Sequence, residues 1–319
     1  MALRNIFTAR EGVSHNMRDR KHMLEDSVRN LLIVAFGEFC GTFMFLMLGF
    51  AGAQTAINNN EPVVHGGRLA PASLFYIACA FGTAIAVNVW VFYRVTGGMF
   101  NPAVTLGLTL VGAVKPLRAI LIIPSQIVAA IAAAAVVDGL LPGPLTVVTT
   151  LGDGTSQVQG VFLEMFLTAQ LVLTVYFLAV EKHKATYLAP IGIGIAVFIA
   201  HIVGVNYTGA SINPARSFGP ACIVGFVGYH WIYWVGPLMG SLLAFLVYSI
   251  LKWLAYQSAN PGQDDDDMER AAPITSSTAA VHQKTDHRST HSDASDPLRS
   301  PGLGSREYRQ EPVPSAVGS

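Results

Sequence analysis

Charge is what this sequence has least of. Only 13% of its 319 residues are Asp, Glu, Lys or Arg, while 52% are hydrophobic. Soluble domains carry about 25% charged residues, so the shortfall points to a membrane protein before any motif is read. The formal net charge is zero, and no basic excess suggests nucleic acid as a partner. Cysteine is scarce too. Cys40, Cys79 and Cys222 fall within or beside apolar stretches, without the spacing of a disulfide framework or a zinc site. All three are expected to be buried small side chains. Residues 1–29 lack an apolar core, so they are not expected to form a cleavable signal peptide, and the first apolar stretch must do the targeting.

What is present is apolar and long. Spanning a bilayer takes about 20 mostly apolar residues, and six stretches qualify: 31–53, 72–93, 117–137, 161–180, 187–205 and 231–251. Two shorter apolar pieces, 100–111 and 212–226, cannot cross alone, and each follows a Gly-rich turn (Gly97-Gly98 and Gly209). Pieces of that length suit re-entrant segments, tolerated at membrane depth only where protein or a water-filled cavity satisfies the backbone. The fold expected is all-α: six transmembrane helices plus two re-entrant half-helices.

Lys and Arg set the expected orientation. The linkers after spans two and four hold Arg94, Lys115, Lys182 and Lys184, and Arg118 and Lys252 lie just inside spans near the same side. The linkers after spans one and three offer only Arg68, and the one after span five only Arg216. The basic side is expected to be cytoplasmic, and an even number of spans puts both termini there. Three regions result: a cytoplasmic tail over 1–29, a channel-like domain over 30–256 with halves at about 30–138 and 159–256, and a tail over 257–319. The last region opens with the acidic run 264–267 and continues in Ser, Thr, Pro and Gln, a composition that cannot bury enough surface to fold alone.

The halves repeat each other. Glu38 is followed four residues on by Thr42, and Glu164 by Thr168. Each half then reaches Asn-Pro-Ala: Asn101, Pro102 and Ala103 in the first, Asn213, Pro214 and Ala215 in the second. Three spans per half is an odd number, so the second copy must enter the membrane upside down, an inverted repeat with its site near the midplane. Asn is a strong N-cap and Pro is well placed at the first helical position, so each motif reads as a helix start. Two half-helices of about 15 Å, at roughly 1.5 Å per residue, meet head to head across about 30 Å. Their N-termini each carry roughly +0.5 charge, a barrier to cations but not to neutral molecules. The two Asn amides can donate to a passing oxygen and so interrupt a proton-conducting chain of waters.

Residues 97–107 (Gly-Gly-Met-Phe-Asn-Pro-Ala-Val-Thr-Leu-Gly) and 207–219 (Tyr-Thr-Gly-Ala-Ser-Ile-Asn-Pro-Ala-Arg-Ser-Phe-Gly) resemble the two signature loops of the aquaporin (major intrinsic protein) family. The resemblance covers about 31–254 and implies a passive water channel with no cofactor and no catalysed reaction. It also implies a homotetramer in the plasma membrane with one pore per subunit, and the exclusion of protons attributed to aquaporin-type pores in general. In that family a second constriction selects by size and polarity, and the matching residues here are Phe81, His201, Ala210 and Arg216. This set is similar to the water-selective branch. Glycerol-conducting members usually carry Gly at the His position, Trp at the Phe position and Asp after the Arg, where this chain has Ser217. Ala221, Tyr233 and Trp234 also resemble the water branch. Ala210 departs from the Cys of some members, which puts mercury inhibition there in doubt.

Other readings stay open. A buried Arg in a membrane is a functional hypothesis by default, though Arg216 could also hold loop carbonyls. Glu38 and Glu164 could couple protons as in transporters, or could accept hydrogen bonds from re-entrant backbone, with Gln126 sharing that task. A channel that also passes glycerol, an ion-coupled secondary transporter and a non-conducting structural protein are the alternatives. Gly236-x-x-x-Gly240 permits close helix approach but is a common pattern. Asn206-Tyr207-Thr208 matches a glycosylation acceptor and, beside a re-entrant loop, is expected to be unused. His15 and His22 on one tail, and Ser289 and Ser300 on the other, raise gating or trafficking control against the simpler reading of solvated tails.

Overall fold

The computed structural model describes residues 26–58, 69–152 and 154–262. Arg68, the two tail histidines, Ser289, Ser300 and the acidic run lie outside the described residues. Among the described residues eight α-helices follow in order: α1 Asp26–Asn58, α2 Pro71–Phe92, α3 Pro102–Leu110, α4 Pro116–Leu140, α5 Gln157–Val175, α6 Ala189–Thr208, α7 Pro214–Val224 and α8 Ile232–Trp253. Six are long and apolar enough to cross a bilayer, α5 being extended by a π-turn over Tyr176–Val180. The remaining two, α3 and α7, have nine and eleven residues.

Local chemistry explains the boundaries. Pro occupies the first turn of α2, α3, α4, α6 and α7, where its missing N–H costs nothing. A capping box between Ser156 and Gln159 starts α5, satisfying two otherwise orphan N–H groups. Gly209 ends α6 in the left-handed conformation, φ 79°, which glycine adopts without a Cβ penalty. The first helix runs further than the apolar stretch 31–53, because polar Gln54 and Asn58 find partners within the protein. The expected tail start at 257 falls inside a short 3-10 turn, Tyr256–Ser258, and Lys184 Nζ donates to the Gly262 carbonyl at 2.7 Å.

Packing follows the inverted repeat. Helix α1 packs on α4 and on α2, as α5 packs on α8 and on α6. Half-helix α7 packs on α4 of the first half, as α3 packs on α8 of the second, and α2 meets α6 between the halves. At that crossing a Cβ added to Gly82 would lie 2.9 Å from the Gly194 carbonyl oxygen, and one added to Gly194 would lie 2.7 Å from that of Gly82. Gly236 and Gly240 matter more than their common pattern suggests. A Cβ on Gly236 would sit 2.7 Å from the Glu164 Cβ, and one on Gly240 2.7 Å from the Thr168 Cβ. The pair lets α8 press α5 inward and fixes Glu164.

Large apolar side chains are exposed around the bundle, among them Phe36, Trp90, Ile120, Phe166 and Leu246, as a lipid solvent requires. Every described Lys and Arg except Arg216 lies at the helix ends on one side, the basic end. Cysteine departs from expectation: Cys40 and Cys79 are half-buried and Cys222 is exposed, all as free thiols.

Candidate functional site

The two re-entrant loops are held by buried carboxylates. Glu38 on α1 accepts the backbone N–H of Met99 at 3.2 Å and of Phe100 at 2.9 Å. Gln126 Nε2 donates to the same carboxylate at 2.8 Å and to Thr105 Oγ1 at 3.0 Å. In the second half, Glu164 accepts Ser211 N at 2.8 Å, Ile212 N at 2.6 Å and Thr208 Oγ1 at 2.6 Å. Loop N–H groups at membrane depth have no water to bind, so these carboxylates supply the missing acceptors. The loops are tightly bent: Phe100, Ala210 and Ile212 adopt positive φ of 51°, 49° and 45°. Such angles are rare outside glycine and are held here by the hydrogen bonds at both flanks.

At the centre the two Asn-Pro-Ala motifs are tied to each other. Asn101 Oδ1 caps its own helix through Ala103 N at 2.8 Å, and Asn213 Oδ1 caps its own through Ala215 N at 3.0 Å. Each amide nitrogen then crosses over. Asn101 Nδ2 donates to the Ile212 carbonyl at 2.8 Å, and Asn213 Nδ2 donates to the Phe100 carbonyl at 2.9 Å. One amide proton of each Asn is therefore committed to the opposite loop, which sequence alone did not foresee, and the other has no protein acceptor among the described residues. Ser241 on α8 donates to the Ala103 carbonyl at 2.7 Å and locks α3 against the second half.

A cavity of about 40 Å³ runs past this centre, lined among others by Phe81, Gly97, Gly98, Met99, Asn101, His201, Ser211, Asn213 and Arg216. At roughly 10–15 Å³ for each water centre, it has room for about three molecules. Toward the basic end it shares Gly97, Met99, Leu108, Val175 and Ala179 with a wider cavity of about 350 Å³. Toward the opposite end, Arg216 lines both the narrow cavity and an outer one of about 180 Å³. Among the described residues, the carbonyls of Gly97, Gly98, Met99 and Ser211, four residues that line this cavity, accept no protein hydrogen bond.

Phe81, His201 and Arg216 come together at one point of that path. The Phe81 and His201 rings stack, with centroids 4.3 Å apart and planes 21° from parallel. The Arg216 guanidinium carbon lies 5.0 Å from the Phe81 ring centroid and 5.6 Å from that of Phe50. All three side chains are buried. His201 Nδ1 is 2.8 Å from the Val197 carbonyl; a carbonyl only accepts, so Nδ1 carries a proton. His201 Nε2 and Arg216 Nε have no protein partner. Arg216 Nη1 donates to the Val147 carbonyl at 2.7 Å. Ala210 is placed differently: it is buried beside Gly204 and is not among the residues lining the cavity. Ser217 joins a buried chain in which Thr149 Oγ1 donates to Ser217 Oγ at 2.8 Å, Ser217 Oγ to Ser211 Oγ at 2.6 Å, and Ser211 Oγ to the Asn213 carbonyl at 3.1 Å. No group of His, Cys, Asp or Glu suited to a metal occurs among the described residues.

Comparison with known proteins agrees with this architecture. Residues 27–248 match the Major intrinsic protein family. The chain is 68% identical over 246 residues to Aquaporin-1 of Gibberella zeae, covering 77% of each chain. It is 53% identical over 245 residues to Aquaporin-7 of Botryotinia fuckeliana, covering 76% of this chain and 54% of that relative, so the match spans about half of the longer protein. Among solved structures, the aquaglyceroporin from Plasmodium falciparum superposes with a TM-score of 0.59 at 21% identity, over 68% of this chain and 95% of that one. That likeness concerns the fold.

Proposed function

The chain belongs to the major intrinsic protein family, whose members are passive membrane channels for water or small solutes and not enzymes, and from that premise we propose that this one passes water in preference to glycerol. The observation that carries the reading is the stack of Phe81 on His201 at 4.3 Å with Arg216 beside it. Two aromatic rings and a guanidinium leave little room for a carbon backbone. His201 Nε2 and Arg216 Nε are polar atoms left without a protein partner, an acceptor and a donor, which suits water, a donor and an acceptor at once.

In this reading Asn101 and Asn213 present their free amide protons to a water at the midplane. The N-termini of α3 and α7 add a positive field there, so hydronium and cations are refused. Pro102, Ala103, Pro214 and Ala215 set the two helix starts, and Glu38, Glu164 and Gln126 act as structural supports of the loops. The halves at about 30–138 and 159–256 form one channel domain, four copies of which assemble in the plasma membrane with the basic end and both termini cytoplasmic.

Stopped-flow shrinkage of vesicles holding the purified protein tests the proposal, with sucrose and then glycerol as osmolyte. Water efflux well above that of empty vesicles, with slow glycerol entry, is expected. Efflux no faster than in empty vesicles refutes conduction, and fast glycerol entry refutes the preference. The double variant His201→Gly with Phe81→Trp is expected to admit glycerol; no gain counts against the constriction assignment.

A further inference from the structure

The Arg216 guanidinium has one hydrogen bond among the described residues, to the Val147 carbonyl. Val147 lies between α4 and α5 in a segment without regular secondary structure. Such a segment could hold an arginine only loosely unless something held it in turn. Two ties do so, one on each side of Val147. On one side stands Gln54, in the part of α1 that overruns its apolar stretch. Gln54 Nε2 donates to the Pro144 carbonyl at 3.0 Å, while its Oε1 accepts Thr146 N at 2.9 Å and Thr146 Oγ1 at 3.0 Å. The side-chain amide thus pairs with a backbone carbonyl and N–H two residues apart, much as a neighbouring strand does. One turn further along α1, Asn58 accepts from Gln54 Nε2 at 2.9 Å and donates to the Pro142 carbonyl at 3.0 Å. On the other side of Val147, Thr149 is bonded to Ser217.

We infer that Gln54 is a positioning residue for the selectivity constriction. It sets where the Val147 carbonyl stands and so where the Arg216 guanidinium is held, without touching the solute. The inference rests on the reading of Arg216 as the selecting residue. Gln54 is 1% exposed and lines neither the narrow cavity nor the outer one. Its amide is the partner of a backbone carbonyl and a backbone N–H that have no other protein partner among the described residues. Pro144 and Thr146 lie at the exposed side of the segment, so without Gln54 both groups turn to water instead, and the segment is no longer held to α1. Val147 follows Thr146 directly, so its carbonyl moves with them. Arg216 then loses its anchor, and the passage beside Phe81 and His201 widens.

The test is the glycerol-to-water permeability ratio of purified variants in vesicles, with equal amounts of folded protein. Gln54→Met keeps the length of the side chain and removes its hydrogen bonds. The ratio is expected to rise by roughly threefold to tenfold, the size of one lost hydrogen-bonded constraint on a barrier. Thr149→Val cuts the tie on the other side and is expected to raise the ratio in the same range, which keeps the test decisive if Gln54→Met does not fold. Arg216→Val is the reference. A purely structural Gln54 would lower the yield of folded protein or scale both permeabilities together, with the ratio fixed. If Arg216→Val raises the ratio while the folded variants at Gln54 and Thr149 stay at the wild-type value, this inference fails alone. If Arg216→Val also leaves the ratio unchanged, the constriction reading fails and this inference with it.

Discussion

Replacing Glu164 with Gln separates a structural carboxylate from a proton-coupling one. The shape of the side chain is kept. The carboxylate accepts from Thr208 Oγ1 and Ser211 N at one oxygen and from Ile212 N at the other. A glutamine keeps one acceptor oxygen and turns the other into a donor, which then faces a donor. At least one buried backbone N–H is left without a partner, costing about 1–3 kcal/mol, and the bonds that survive lose their charge assistance, about 1 kcal/mol more. With the strained φ of Ala210 and Ile212 less firmly held, the total is on the order of 2–5 kcal/mol. For a domain of this size that corresponds to a fall of roughly 5–15 °C in unfolding temperature. The assay is thermal unfolding of the purified protein in detergent, paired with stopped-flow water permeability at two pH values. The expected result is a marked fall in unfolding temperature and a lower yield of active channel, with no change in how permeability depends on pH. A Glu164→Gln variant as stable as wild type, in which solute uptake loses a dependence on the proton gradient, would refute the reasoning and favour a coupled transporter.

Two further outcomes follow from the packing. Gly219 faces α4 so closely that an added Cβ would lie 2.6 Å from the Ala130 carbonyl carbon and 3.0 Å from its Cβ; Gly219→Ala is expected to cost about 1–3 kcal/mol through overpacking, read as a lower unfolding temperature. His230 lies just before α8, and burial among Phe218, Phe226 and Tyr233 holds its imidazole below the ordinary value of 6.5. The unfolded chain then binds the proton more readily, so stability falls as pH drops through about 6.5; His230→Gln is expected to flatten that part of the curve of unfolding temperature against pH.

Period and punctuation made the architecture legible. The six spans, the two short pieces and the paired Asn-Pro-Ala motifs needed only length, apolar content and cap chemistry, since a bilayer permits few backbone solutions. Glu38 and Glu164 were readable because each stood at the same place in its half. Residues without a symmetric counterpart in the motif were not readable. Gln54 looked like the first residue of a linker, and Ser217 served only to separate branches. Both make contacts more than sixty residues away in sequence, and no local pattern records those. Gly236 and Gly240 show the opposite problem. Their pattern was visible, but its meaning depended on Glu164 standing opposite. The committed amide protons of Asn101 and Asn213 required knowing that the two loops face each other.

That crossed pair of bonds, Asn101 to the Ile212 carbonyl and Asn213 to the Phe100 carbonyl, bears on how such a chain could have arisen. Each half brings one donor and one acceptor, at equivalent positions beside its helix start. A single half, meeting an inverted copy of itself, would therefore close the same two bonds with no change of residue. A pair of separate halves could be held at its centre in this way, and joining them into one chain makes the second encounter intramolecular, at an effective concentration that no longer depends on dilution. A single chain also allows its halves to differ. His201 and Arg216 come from the second half, Phe81 and Gln54 from the first, and a symmetric pair would have to carry the same residues at both mouths. The filter proposed on one side of the midplane is what two identical halves could not build.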